Sequence, residues 1–390
     1  MNSNKCRLCN SKLFPKPLLE LKGMPKAAQH YPKKDEFKND KGITLNIFQC
    51  SHCGLVQLNI DPVDYFKEVI TAASFSKDAK LSRLKQMKEF VSKFTLKGKK
   101  VLEVGSAKGN MLDILEEAGV KASGIEASPE SVAIGKAAGR NMINAYIGDT
   151  NNIDGYPFDA FVSFNYLEHL PEPGLIIKKI YNNMTDDGAG FVTVPNLDYL
   201  LRTKCFYEFV PDHLSYFTKK TLKYAFENNN FNVLECRTIN QENDILAVVK
   251  KKKFKNSIVE VKKIEPLDIS QDYIEVEKLI KNLREIVNRY KKEGKKVAVW
   301  GAGHRTLALL ALSKLKEIEY VVDSAKFKQG KFTPVLHSRI LAPETLQKEK
   351  VDLLIVMVPG IYPDEVIKTV KKMDTVSNIA KLKDNKIEFI

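Results

Sequence analysis

Short apolar runs alternating with stretches of helical period organise most of the chain. Val101-Leu102-Glu103-Val104 has the character of a buried strand, and Gly105-Ser106-Ala107-Lys108-Gly109-Asn110 follows as a small-residue turn. Met111, Leu112, Ile114 and Leu115 then share one helical face. The same alternation continues. Ala122-Ser123-Gly124-Ile125-Glu126 is a second strand, a third ends before Gly148-Asp149, and 158–165 is a fourth. A helix over 175–184, a strand over 191–194 and a helix over 221–228 lead to two further strands, 231–235 and 244–249, which read as an antiparallel pair. Upstream, Leu81, Leu84, Met87, Phe90, Val91 and Phe94 fall at helical spacing. Downstream, a helix over 273–292 precedes Val297-Ala298-Val299-Trp300-Gly301-Ala302-Gly303, with strands over 318–322 and 351–358. This order predicts an α/β protein with a doubly wound sheet and a second Rossmann-like unit behind it.

The first turn asks for a particular ligand. Gly105 and Gly109 let the backbone turn sharply and approach a small molecule, and the following helix points its amide end at the turn. A dinucleotide site carries Gly-x-Gly-x-x-Gly around a pyrophosphate, whereas Glu103-x-Gly105-x-x-x-Gly109 places a carboxylate just before the turn. That carboxylate suits a cationic or amino-bearing ligand. Glu126 can accept from both hydroxyls of a ribose, Asp149 from an adenine amino group, and Asn165 ends the fourth strand on the same crevice. Together these residues resemble the class I S-adenosylmethionine-dependent methyltransferases over 78–250, with Ala107 where that family often has glycine. The resemblance implies S-adenosylmethionine as cofactor, held by Glu103, Gly105, Ala107, Gly109, Glu126, Asp149 and Asn165.

Composition narrows the rest. The chain has 390 residues, 44% of them hydrophobic, enough for two or three globular domains. There is no run of about 18 apolar residues, and the N-terminus is polar. These features predict a cytoplasmic protein without a membrane partner. A net charge of +14 raises the possibility of a nucleic-acid partner, but 62 basic residues are spread among 48 acidic ones. Solvated lysine-rich faces account for most of that excess, and part of it could attract an anionic substrate.

Cys6-Arg7-Leu8-Cys9 and Cys50-Ser51-His52-Cys53 form two Cys-x-x-Cys knuckles. Four thiolates at such spacing close a tetrahedral shell around Zn²⁺ and leave no open position, which is the pattern of a structural site. His30 and His52 are alternative ligands, while Cys205 and Cys236 stand alone. The intervening Phe14-Pro15-Lys16-Pro17 and Met24-Pro25-Lys26 cannot build a large core, so metal binding should hold this region folded. The expected domains are 1–75, 76–250 and 271–390, with Lys250-Lys251-Lys252-Lys253 opening a solvated tether that runs to 270. In the C-terminal unit, Asp323 follows the second strand as in a dinucleotide domain, but Thr306 stands at the third glycine position. A Rossmann-like layer without its own cofactor is expected.

Catalytic candidates cluster after the fourth strand. Glu168 and His169 sit at a strand end, where they face the crevice or else brace their loop. His213, flanked by Asp212 on an aromatic-rich loop, has the ingredients of a general base; a buried hydrogen-bonded histidine is the alternative. The three-part order resembles the bacterial sugar C-methyltransferase family nearly end to end. Its most specific segments here are Cys50-x-x-Cys53-Gly54-Leu55-Val56-Gln57, His213-Leu214-Ser215-Tyr216-Phe217, and Val322-Asp323 through Lys328-Gln329-Gly330-Lys331-Phe332-Thr333-Pro334. The resemblance implies methylation of the carbon next to the ketone of a nucleotide-linked 4-keto deoxysugar. His213 would be the base, Asp212 its orienting acid and His169 a donor at the enolate oxygen. Val210 stands where the family has a tyrosine, and Ile70-Thr71-Ala72-Ala73-Ser74 offers no match for another. An oxygen or nitrogen methyltransferase on a related nucleotide sugar is the alternative. A zinc-containing nucleic-acid-binding protein would leave Glu103, Glu126 and Asp149 unexplained.

Overall fold

The computed structural model describes residues 4–67, 77–253, 263–359 and 362–390. The stretch 70–74 and most of the lysine-rich run beyond 253 lie outside these residues. Three sheets make up the described chain. In the first, β1 (Leu19–Met24), β2 (Ile43–Gln49) and β3 (Val56–Leu58) are antiparallel neighbours. Their inward positions, among them Leu21, Leu45, Ile47 and Leu58, are fully buried, as the period of two requires.

The central sheet contains β4 (Lys100–Val104), β5 (Lys121–Glu126), β6 (Met142–Asn144), β7 (Phe158–Phe164) and β8 (Met184–Pro195). The two-residue strand β9 (Ser215–Tyr216) comes next in the chain but pairs with β3 of the first sheet, and β10 (Phe231–Ile239) and β11 (Asp244–Lys251) complete the central one. Its order is β10-β11-β8-β7-β4-β5-β6. All its pairings are parallel except β8 with β11 and β11 with β10. This is the class I methyltransferase arrangement. Strand order reverses between β4 and β7, so the crevice beyond their carboxyl ends is the expected ligand site.

The third sheet, β14-β13-β12-β15-β16-β17, uses β12 (Val297–Trp300), β13 (Val321–Val322), β14 (Ile340–Leu341), β15 (Val351–Val356), β16 (Val376–Lys383) and β17 (Lys386–Phe389). Only its last strand is antiparallel. At its turn Asp323 accepts from the N–H groups of Ala302 at 2.7 Å and Ala325 at 2.8 Å and lies 3.1 Å from Lys328 Nζ.

The N-terminal residues do not fold apart from the rest. β9 places residues of the methyltransferase region in their sheet. Cys6, Leu8, Cys50, Cys53 and Leu55 share an apolar core with Leu102, Val104 and Phe217. A side chain at Gly174 would meet the Leu8 carbonyl oxygen at 2.4 Å, so the first knuckle sits against the helix Pro173–Asn182 only because that position is glycine. Arg7 donates to the carbonyl oxygens of Pro171 and Leu58 at 3.2 to 3.4 Å and to that of Ile60. The expectation of a solvated tether fails for its second half. Ile264 and Ile269 are buried, and the Leu267 N–H donates to Gln49 at 2.8 Å, because apolar side chains inside a charged stretch still seek cover. Among the described residues no helix is long and apolar enough to cross a membrane.

Candidate active site

The glycine-rich turn is built from β4, whose Glu103 lies in register with Gly124 of β5 and Val162 of β7. Gly105 has φ +76°, and a Cβ there would strike the Tyr166 ring at 2.4 Å. Ala107 adopts φ +50°, a left-handed conformation costing an alanine about 1–2 kcal/mol. Its N–H donates to Glu126 Oε2 at 2.9 Å, and the Ser128 N–H donates to Oε1 at 2.9 Å. The carboxylate of Glu126 thereby fixes the turn while retaining lone pairs for two hydroxyls.

Glu103 is the informative member. It is 5% exposed, and its Oε2 has no hydrogen-bond partner. Burial first, and then the charge of Glu126, push its pKa well above the usual carboxylate range, while Arg83 and Arg140 pull against them. A buried acid without a partner beside a tight turn has the chemistry for an ammonium or sulfonium ligand. The turn therefore fits S-adenosylmethionine.

Asp149 closes the short turn Ile147–Asp149 near the end of β6, where its exposed carboxylate pairs with Lys67 at 2.9 Å. Asn165 has φ +47°. Its amide donates to Asp244 at 3.1 Å and accepts from the Thr193 hydroxyl at 2.6 Å, which locks the loop after β7.

That loop delivers Glu168 and His169. The Leu214 N–H donates to the Glu168 carbonyl at 2.7 Å, and the Leu58 N–H donates to the Leu214 carbonyl at 3.0 Å. His213 is thus strapped between the central sheet and β3, with its ring centroid 4.7 Å from that of His169, edge to face. One atom from each of Glu168, His169 and His213 lies within 4.8 Å of the others.

Two expected roles need correction. Asp212 does not orient His213. Its carboxylate, 3% exposed, accepts from the Ala28 N–H at 2.7 Å and the Tyr65 hydroxyl at 2.6 Å; Pro211 and Asp212 lie in a turn closed by the His213 N–H on the Val210 carbonyl at 3.0 Å, and adjacency across such a turn does not bring the two side chains together. Its backbone carbonyl takes His169 Nδ1 at 2.7 Å. A carbonyl only accepts, so Nδ1 carries the proton and Nε2 of a neutral His169 has none. His169 in that form cannot donate to an enolate oxygen, and burial first of all lowers its pKa, favouring the neutral ring. His213 is lowered further, by burial and then by His169 and His304.

Glu168 is 2% exposed with both carboxylate oxygens unpartnered, and burial raises its pKa well above the usual range. Its 3.8 Å approach to His169 Nε2 is therefore a contact between neutral groups. A folded-state pKa that is raised favours the folded protein below the unfolded value and is lost as pH rises through the folded one. Glu168→Gln is accordingly expected to melt at a higher temperature than the parent at pH 8, with that advantage vanishing near pH 4. An equal difference in calorimetric melting temperature at both pH values would show an ionised, compensated Glu168.

Three functional candidates escaped sequence reasoning. Tyr65 reaches Asp212 from the segment after the knuckles, and His304 and Arg305 reach in from the C-terminal turn. Glu208 accepts from His304 Nε2 at 2.7 Å and Arg305 Nε at 2.5 Å. Burial alone would raise the Glu208 pKa, but the charges of Arg305 and His304 prevail and bring it down to about 2. The His304 ring stands 6.2 Å from that of His213. The Gly301-Ala302-Gly303 turn that precedes both residues was the only available signal.

The knuckles converge as their spacing requires. Cys6 Sγ lies 3.6 Å from Cys53 Sγ and Cys9 Sγ lies 3.5 Å from Cys50 Sγ. A tetrahedron of sulfurs about 2.3 Å from a metal has edges of about 3.8 Å. The N–H groups of Leu8, His52 and Cys53 donate to the Cys6 and Cys50 sulfurs at 3.4 Å. His30 contacts Glu36 instead, and His52 packs against Tyr224.

Residues 77–236 match the family model of a methyltransferase domain, and 233–378 match that of a C-methyltransferase C-terminal domain. C-methyltransferase NovU of Streptomyces niveus is 24% identical over 362 residues, covering 87% of this chain and 86% of that protein. A ubiquinone biosynthesis O-methyltransferase of Idiomarina loihiensis is 26% identical over 153 residues, 36% of this chain and 63% of that protein. A crystal structure of an S-adenosylmethionine-dependent methyltransferase from Clostridium acetobutylicum covers 44% of this chain and 92% of its own, at 12% identity and a TM-score of 0.38.

Proposed function

We propose, from the premise that the chain belongs to the S-adenosylmethionine-dependent C-methyltransferases, that its acceptor is the carbon next to the ketone of a nucleotide-linked 4-keto deoxysugar. The observation that carries this reading is the His169–His213 pair beside Glu168, just past the end of β7 and next to the cofactor turn. When bound at that turn, S-adenosylmethionine supplies an electrophilic methyl group. A carbon acceptor becomes nucleophilic only after losing a proton, so the protein has to provide a base and a donor for the enolate oxygen.

His213 is our base. Burial keeps its ring neutral, and among the described residues no hydrogen bond fixes either of its nitrogens. The donor role assigned to His169 on sequence passes to Glu168, because a carboxyl held neutral by burial can donate to an enolate oxygen. His169, fixed by Asp212, orients this pair. The sugar and its nucleotide rest on the family resemblance. We assign the four-cysteine cluster to structural zinc.

Incubation with S-adenosylmethionine and a panel of nucleotide 4-keto sugars, followed by NMR location of the new methyl group, tests the proposal. A methyl on the carbon beside the ketone is expected. A methyl on oxygen or nitrogen would replace this reading with a heteroatom methyltransferase. No turnover anywhere in the panel, from protein that binds the cofactor, would exclude the substrate class.

A further inference from the structure

We propose that a divalent transition-metal ion binds between Glu168, His169 Nε2 and His213, and that it inhibits methyl transfer while it is bound. The site stands on geometry alone; the inhibition rests on the reading of His213 as the base.

Three observations converge on one place. The Glu168 side chain is 2% exposed and both its carboxyl oxygens lack a hydrogen-bond partner, a combination that no other side chain among the described residues shows. Such a group costs free energy until something satisfies it. His169 gives its Nδ1–H to the Asp212 carbonyl at 2.7 Å, which leaves the lone pair of Nε2 available 3.8 Å from Glu168 Oε1. A backbone carbonyl on the far nitrogen is the support that metal-bound histidines ordinarily have, because it fixes both tautomer and ring. That support is itself anchored, since the Asp212 carboxylate is held by Ala28 and Tyr65. His213 supplies the third donor. Its ring stands edge to face on His169, and one ligand atom from each of the three residues lies within 4.8 Å of the others.

Ligands about 2.1 Å from Zn²⁺ stand about 3.4 Å apart in a tetrahedron. The Glu168–His169 pair, at 3.8 Å, needs only a slight approach, and rotation of the His213 ring, which no described hydrogen bond holds, brings in the third. Two imidazoles and one carboxylate suit Zn²⁺, Co²⁺ or Ni²⁺, whereas Mg²⁺ and Ca²⁺ ask for oxygens. Three protein ligands also leave a coordination position open. The cation compensates the buried carboxylate, which must be ionised to ligate. Glu208 does not compete, because it is already paired with His304 at 2.7 Å and Arg305 at 2.5 Å. The consequence for catalysis follows directly. A coordinated His213 nitrogen has no lone pair with which to take a proton, and a coordinated Glu168 has no proton to give an enolate oxygen.

The test uses the full chain as purified, with its zinc counted by elemental analysis, titrated with Co²⁺ and followed by absorption. One Co²⁺ per chain is expected with ligand-field absorption but no thiolate-to-cobalt charge-transfer band; that band marks any ion taken by the cysteines. Glu168→Gln and His169→Gln should each weaken this uptake at least about tenfold, the low end even for losing a residue that merely supports a ligand. Binding of S-adenosylhomocysteine shows that each variant is folded, and His213→Ala replaces either one that is not. No uptake beyond the cysteines, or uptake unchanged in the variants, overturns the site and leaves His213 as base untouched. In the parent protein, methyl transfer should fall at least about a hundredfold at saturation, the lower range for loss of a general base. It should return when a chelator removes the ion but leaves the cysteine-bound zinc. A filled site with undiminished methyl transfer would overturn the inhibition, and with it the assignment of His213 as the base.

Discussion

Replacing His213 with alanine is expected to slow proton exchange at the carbon beside the substrate ketone at least about a hundredfold, the lower range for loss of a general base. The measurement is NMR of a nucleotide 4-keto sugar in D₂O, with the protein holding non-reactive S-adenosylhomocysteine and spontaneous exchange subtracted. Exchange itself separates acceptor classes, since an oxygen or nitrogen methyltransferase has no reason to labilise that hydrogen. The pH profile adds a second readout. A base whose pKa is depressed by burial stays neutral below the ordinary imidazole range. Exchange should therefore persist as pH falls past about 6.5 and drop only through the lower folded-state value. Because shielded proton transfer can hide exchange, the methylation rate of the variant is measured beside it. Wild-type methylation by His213→Ala would transfer the base role to His169. The structure prepares that residue for it: with Nδ1–H committed to the Asp212 carbonyl at 2.7 Å, Nε2 is a ready acceptor.

The fate of Asp212 shows where sequence reasoning stops. Periodicity was enough to read β4, β5 and β7 and the acids at their ends, because a buried parallel strand writes its length into an apolar run and its ligand groups into the residues that follow. Glu103 and Glu126 consequently stand where they were expected. Adjacency in a loop carries no such information. Asp212 and His213 are neighbours in sequence, yet the acid turns to Ala28 and Tyr65, well over a hundred residues away along the chain. β9 was illegible for a related reason: two residues, Ser215 and Tyr216, are too few to show a period, and their partners Gln57 and Val56 belong to another part of the chain.

If the four cysteines hold zinc and His213 is the base, the pairing of β3 with β9 ties the metal to catalysis from a distance. Cys53 is three residues before Val56, which pairs with Tyr216, and the Leu58 N–H holds the Leu214 carbonyl next to His213. Structural zinc contributes about 10–16 kcal/mol in small zinc peptides, so its loss should free the knuckles and, through β3, the strap that positions His213. The double substitution Cys50→Ser, Cys53→Ser is expected to abolish zinc by elemental analysis. It should also speed hydrogen exchange of the Leu58 and Leu214 amides at least about tenfold, the amount corresponding to about 1.4 kcal/mol of lost local protection. The amides of Leu102 and Val104, in β4 between β5 and β7, should keep their protection at temperatures below global melting, and S-adenosylhomocysteine should still bind. Methyl transfer should fall with the loosened strap. Full zinc retention would end the four-cysteine assignment. Simultaneous loss of protection in β4 would mean that the knuckles, through the apolar core they share with Leu102 and Val104, hold up the whole cofactor domain and not the His213 strap alone.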